Sequence, residues 1–116
     1  LIRRHQTDSA GQTVEAAKEY IRQHYAESDL SVEKLCAYLH LSSTYFSTLF
    51  KRETGTSFTA YVTTVRMEAA AEAIRGTEEK TYLIAQRCGY EDPNYFSYVF
   101  KRHFGVTPTK YRSEGK

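Results

Sequence analysis

The sequence predicts an all-α fold of seven helices, arranged as two helix-turn-helix subdomains joined by a long linker helix. Three observations carry this expectation. Residues 45–62, YFSTLFKRETGTSFTAYV, and residues 95–112, YFSYVFKRHFGVTPTKYR, are identical at half their positions after a shift of fifty. The shared residues include Tyr45/Tyr95, Phe46/Phe96, Ser47/Ser97, Phe50/Phe100, Lys51/Lys101, Arg52/Arg102 and Gly55/Gly105. Such a period marks one supersecondary unit used twice. Apolar residues recur at helical spacing, and no strand-like alternation appears. Ser, Asp, Pro and Gly stand where helices would start and stop.

The elements follow in order. Residues 1–12 are polar and read as a linker or tail. Thr13 is placed as the cap of a first helix over about 14–26, with Val14, Ala17, Ile21 and Tyr25 on one stripe. Glu27, Ser28 and Asp29 break it. Ser31 caps a short helix over 32–39 whose inner face is Val32, Leu35, Cys36 and Leu39. After a turn at His40 and Leu41, Ser42 caps a third helix, 43–54, closed by Gly55. Ser57 starts the longest segment, about 58–75, rich in alanine between Met67 and Ile74 and ended by Gly76. The second unit starts near Thr81, with Ile84, Ala85 and Cys88 inward, and turns at Gly89 and Tyr90. Asp92 as N-cap and Pro93 at the first helical position open a helix to about His103. Thr107 and Pro108 open a last helix over about 108–113. The domain division is therefore 1–12 tail, 13–57 first subdomain, 58–76 linker helix and 77–116 second subdomain.

The chain has 116 residues, ten Tyr, six Phe, two Pro and six Gly. That is enough aromatic volume for one domain or two coupled half-domains, and too little Pro and Gly for a disordered linker. The net charge is +2. Its distribution says more: residues 101–112 carry Lys101, Arg102, His103, Lys110 and Arg112 without an acid, whereas acids gather at Glu78-Glu79 and Glu91-Asp92. A locally basic surface binds phosphates without a basic total. Cys36 and Cys88 lack metal-ligand spacing and read as small core hydrophobes. The four histidines are scattered, so no metal and no cofactor are expected. There is no apolar run near eighteen residues, so no membrane partner is expected, and a cytoplasmic location follows. The chain opens without Met, on LIRRHQTDSAGQ, and is read as the C-terminal part of a larger protein.

A short helix, a tight turn and a second helix with a polar outer face make a helix-turn-helix pattern. Across the units Leu35 matches Ile84, Cys36 matches Ala85, Leu39 matches Cys88 and Leu41 matches Tyr90. Gly89 suits a turn with positive φ, and His40 takes that place in the first unit at some strain. On a helical wheel, Phe46, Leu49 and Phe50 share one arc, and Thr44, Ser47, Thr48 and Lys51 the opposite one, with Ser43 at its edge and Tyr45 and Arg52 flanking. The second unit turns Phe96, Val99 and Phe100 inward, and Asn94, Ser97, Tyr98 and Lys101 outward, with Pro93 at the edge. A face of small polar groups ending in a base suits the major groove of double-stranded DNA. Two such helices on one face of B-DNA belong about 34 Å apart. A linker helix rising roughly 27 Å, plus the width of each unit, has that order of length.

The second unit's IAQRCGYEDPNYFSYVFKRHFGVTPTKYR closely resembles the signature of the AraC/XylS transcription regulators: Ile-Ala, Gly-aromatic, Asp-Pro, Tyr-Phe, Phe-Lys, Gly-x-Thr-Pro and Tyr-Arg. LSSTYFSTLFKRETGTSFTAYV and the series Arg66, Ala70, Ala73-Ile74 fit it as well, so the resemblance covers about residues 13–112. Lys80-Thr81-Tyr82 is similar to versions attached to two-component receiver domains. The resemblance implies a sequence-specific DNA-binding transcription regulator with an N-terminal regulatory domain (receiver or ligand-binding), and RNA polymerase as a further partner. It places base-facing positions on Ser43, Thr44, Ser47 and Thr48, and on Pro93, Asn94, Ser97 and Tyr98. Lys51, Arg52, Lys101 and Arg102 are the expected phosphate contacts, with the N-terminus of the last helix beside them. Leu83 stands where the family usually carries a polar residue. The first unit also lacks the Arg or Gln that several members use there, which leaves Asn94 as the best candidate for bidentate recognition of adenine.

The competing readings are blander. Phe46, Phe50, Phe96 and Phe100 are core groups by spacing, and Tyr61 and Tyr111 are packing residues. Arg66 is expected to make structural pairings between the halves. A helical module that binds protein through Leu83 and the linker helix is the rival class, and salt dependence separates it from DNA binding. An enzyme is not expected: there is no Ser/His/Asp set, no paired carboxylates and no phosphate-binding glycine loop.

Overall fold

The computed structural model describes residues 2–114, with side chains from residue 9 onward. Seven helices follow one another: α1 Ile2–His24, α2 Val32–Leu39, α3 Ser43–Thr54, α4 Phe58–Gly76, α5 Thr81–Arg87, α6 Pro93–Phe104 and α7 Pro108–Glu114. Among the described residues there is no strand. Leu1, residues 115–116 and the side chain of His5 lie outside them.

Helix boundaries track local chemistry. Ser31 accepts from the Lys34 amide and Ser42 from the Tyr45 amide, at 3.1 Å each. The Asp92 carboxylate accepts from the Asn94 amide at 2.9 Å, and Pro93 follows it at the first helical position. Gly55 and Gly105 close α3 and α6 with φ of 81° and 84°.

The start of α1 corrects the expectation. Residues 2–12 were placed outside the helix as a tail, yet they are helical, and Thr13 lies inside α1 rather than capping it. No proline interrupts this stretch, and its one glycine, Gly11, costs only about 1 kcal/mol relative to alanine. Polarity therefore failed as a boundary signal, because a polar segment without a breaker can continue a helix already begun.

The described chain divides into two compact units. One comprises residues 1–24 and 30–63, the other residues 25–29 and 64–116. In the first, α1 contributes Val14, Ala17 and Ile21, α2 contributes Leu35 and Cys36, and α3 contributes Phe46, Leu49 and Phe50. The start of α4 adds Phe58 and Val62. The Phe46 and Phe50 rings lie 5.4 Å apart, Phe58 meets both edge-on, and Tyr61 stands nearly perpendicular to Phe50 at 5.4 Å.

The second unit repeats this plan with different fillers. Met67, Ala70, Ala71 and Ile74 of α4 pack with Ile84, Ala85, Cys88, Tyr90, Phe96 and Phe100. Tyr111 stands nearly perpendicular to Phe100 at 5.3 Å, as Tyr61 does to Phe50. Where the first unit has Thr54 and Phe58, the second has Phe104 and Pro108. Pro108 is buried, and the partly buried Phe104 ring packs 4.6 Å from Phe100. Thr54, lacking a ring, instead donates its hydroxyl to the Phe50 carbonyl.

Two arginines tie loops into the second unit. Arg66 donates from Nε to the Tyr25 carbonyl at 2.9 Å and from Nη2 to the Glu27 carbonyl at 2.8 Å. Arg112 spans the carbonyls of Ile74 and Glu79 in the same way, both at 2.8 Å. Arg66 is therefore structural, but its hydrogen bonds lie within the second unit rather than between the halves, and they go to backbone. The Tyr25–Asp29 segment also meets the turn at Gly89. A Cβ there would lie 2.6 Å from the Tyr25 carbonyl oxygen and 2.9 Å from Arg66 Nε.

Two outcomes are expected in chemical denaturation. Gly55 has open space around its would-be Cβ, so Gly55→Ala should cost only the left-handed backbone penalty, about 1–2 kcal/mol. Gly89→Ala adds a backbone clash to a φ of 94° and should cost clearly more, so equal losses would contradict this packing. Asp92→Ala and Ser42→Ala should each lower stability by about 1 kcal/mol through a lost cap.

Candidate nucleic-acid interface

The turn before each recognition helix sets what that helix exposes. In the first unit residues 40–42 join α2 to α3, and His40 adopts φ 60° while the Leu41 amide donates to the Cys36 carbonyl at 3.0 Å. His40 is exposed. In the second unit residues 88–92 join α5 to α6, and the Tyr90 amide donates to the Ala85 carbonyl at 2.9 Å. This turn is packed against the 25–29 segment and Arg66, so glycine is required there and not at position 40.

With Phe46, Leu49 and Phe50 buried, α3 exposes Thr44, Ser47, Thr48, Lys51 and Arg52. Ser43 is only half-buried and lies beside Cys36. Burial pushes the Cys36 thiol up from its ordinary range, and the Ser43 hydroxyl counters part of that. Ser43 thus sits at the rim of the core, at the edge of the open face. On α6, Pro93, Asn94, Tyr98, Lys101 and Arg102 are exposed and Ser97 is half-buried. Each helix therefore gathers its own set on one side, opposite its phenylalanines.

The two lysine–arginine pairs differ in their surroundings. Neither Lys51 nor Lys101 forms an ion pair among the described residues. Arg52 donates to the Glu53 carboxylate at 3.2 Å. Position 103 is His, and Arg102 instead donates from Nη1 to the Tyr98 hydroxyl at 3.0 Å. That bond holds the Arg102 guanidinium above its usual pKa. Spacing alone gave the two arginines one role, because their partners depend on the neighbours at 48/98 and 53/103.

The start of α7 is partly occupied: the Thr107 hydroxyl accepts from the Lys110 amide at 3.2 Å. Leu83 is half-buried, and the exposed aromatic beside it is Tyr82. Sequence reasoning missed the contribution of Tyr95. Its ring is 56% exposed and bridges the buried Tyr90, at 6.1 Å, to Tyr98, at 6.2 Å. Its i−3 spacing from Tyr98 was the available signal. Among the described residues no group of three or more His, Cys, Asp or Glu side chains is placed to hold a metal ion. No helix there is long and apolar enough to cross a membrane.

Comparison with known proteins agrees with this geometry. A family model described as a helix-turn-helix domain matches residues 35–114. The transcriptional activator RhaR of Mannheimia succiniciproducens is 46% identical over 65 residues, 56% of this chain and 24% of that protein. The chain thus spans about a quarter of the length of the curated relatives it matches. The C-terminal domain of AraT, a response regulator from Geobacillus stearothermophilus, superposes with a TM-score of 0.87 at 41% identity, covering 88% of this chain and 84% of that one. The DNA-binding domain of the global transcriptional factor AdpA, solved with a target DNA, superposes with a TM-score of 0.81 at 25% identity, covering 87% and 90%. The chain belongs to the helix-turn-helix domain family, as a DNA-binding domain of AraC type.

Proposed function

We propose that α3 and α6 enter two successive major-groove segments of one duplex, each reading bases with its exposed face. The observation that carries this reading is the matched construction of the two helices: the same phenylalanine pair buried, and a polar face ending in lysine left open. Thr44, Ser47 and Thr48, with Ser43 at the rim, face bases in the first segment. Pro93, Asn94, Ser97 and Tyr98 do so in the second. Lys51, Lys101 and the arginines beside them meet phosphates.

The subdomain limits follow the repeat, with the first subdomain ending at 57 and the second at 77–116, about a linker helix at 58–76. The similarity to a response-regulator output domain supports an N-terminal receiver as the regulatory partner. Contact with RNA polymerase, a cytoplasmic location and the absence of catalysis complete the proposal, and all follow from the role of a transcription regulator.

The test is selection from a randomised duplex library at two salt concentrations. A bipartite motif with about ten base pairs between half-site centres, weakening with salt, is expected. Absence of salt-sensitive retention would overturn the reading and favour a protein-binding module. Asn94→Ala should relax preference at one position by about 1–3 kcal/mol, visible as a flattened base distribution in the same selection. Lys101→Ala should weaken all sequences alike and reduce the salt slope by about one; an unaltered slope removes Lys101 from the phosphate set.

A further inference from the structure

We infer that Tyr98 reads the C5-methyl group of a thymine in the second groove segment, and that Arg102 is the positioning residue that holds its ring there. The inference rests on α6 being the base-facing helix of its unit. Tyr98 is 55% exposed on a face otherwise made of Pro93, Asn94, Ser97 and Lys101, so its ring is not part of the core. It is nevertheless held from two sides. Arg102, one turn on, donates to its hydroxyl at 3.0 Å, with the guanidinium carbon 5.8 Å from the ring centre. Tyr95, on the preceding turn, lies 6.2 Å away with its plane tilted by 30°, and itself rests against buried Tyr90.

A side chain ordered in advance loses less entropy on binding. What such a ring can recognise follows from the groove. Hydrogen-bond donors and acceptors line the major groove for every base pair, and the one apolar group it offers is the thymine methyl. Ring carbons gain most by covering that methyl, since the other base edges present mainly donors and acceptors. Arg102 fixes where they do so, since its hydrogen bond sets the direction of the hydroxyl end. The first unit has no counterpart. Thr48 stands in place of Tyr98, and Arg52 is engaged with Glu53. Methyl reading of this kind is therefore confined to the second half-site.

The test uses the selected duplex with deoxyuridine replacing thymidine one position at a time, which removes only the methyl. One substitution in the second half-site should weaken binding about fourfold, the worth of one buried methyl-sized group. Tyr98→Ala should abolish that difference, so that both duplexes bind alike. Arg102→Ala should reduce the thymidine-to-deoxyuridine ratio toward one, an effect that loss of a phosphate contact would not produce. Both side chains are exposed, and retained binding to the first half-site reports that the variants fold. If deoxyuridine has no effect anywhere in the second half-site while salt-sensitive binding persists, the methyl reading fails and the wider function stands. If Arg102→Ala weakens both duplexes equally and leaves the ratio intact, Arg102 acts only as a phosphate contact and its positioning role is overturned.

Discussion

The phenylalanine pair on each recognition helix is the contact on which the rest depends. Phe46 and Phe50, and Phe96 and Phe100, are fully buried one helical turn apart. Two large rings at that spacing fix the rotation of a helix about its own axis, because turning it would withdraw both from the core. Burying a ring of this size is worth about 1.5–3 kcal/mol relative to leaving it exposed. Once rotation is fixed, the outward residues are determined: Thr44, Ser47, Thr48 and Lys51 on α3, and Asn94, Tyr98 and Lys101 on α6. The exposed polar face is thus a consequence of packing on the other side of the same helix.

Around each pair the fillers differ while the geometry persists. Tyr61 and Tyr111 meet their phenylalanines nearly at right angles, at 5.4 and 5.3 Å. That edge-on arrangement suits the aromatic quadrupole. The exchange of Thr54 and Phe58 for Phe104 and Pro108 shows how a repeat diverges in sequence without changing its architecture. In the second unit, Arg66 and Arg112 add a further constraint by each spanning a pair of backbone carbonyls. Each guanidinium satisfies two acceptors at once, which its planar fork permits and a lysine would not.

Much of the fold was legible because its signals are local. Caps at Ser31, Ser42 and Asp92, stops at Gly55 and Gly105, and the periodic apolar stripes each act within a turn or two of helix. The start of α1 was misjudged because polarity does not break a helix and no proline intervenes. Within the candidate interface the wheel placed Thr44, Ser47, Thr48, Asn94 and Tyr98 on open faces. It set Ser43 at the edge, where the structure draws it toward Cys36, but it did not separate Ser97, which is half-buried. Nor did it anticipate that two arginines at equivalent positions take different partners.

By itself, then, the sequence determined the helices, their order, the twofold use of one unit and the side of each helix that faces water. Those properties depend on backbone propensity and on periodicity, which act between residues three or four apart. Tertiary structure alone decided why position 89 must be glycine while position 40 can be histidine. It also decided that Arg66 binds backbone and that Tyr98 is held between Arg102 and a tyrosine resting on the core. These outcomes depend on atoms distant in the chain, such as the Tyr25 carbonyl at Gly89, or on rotamers chosen by packing. No spacing rule carries that information.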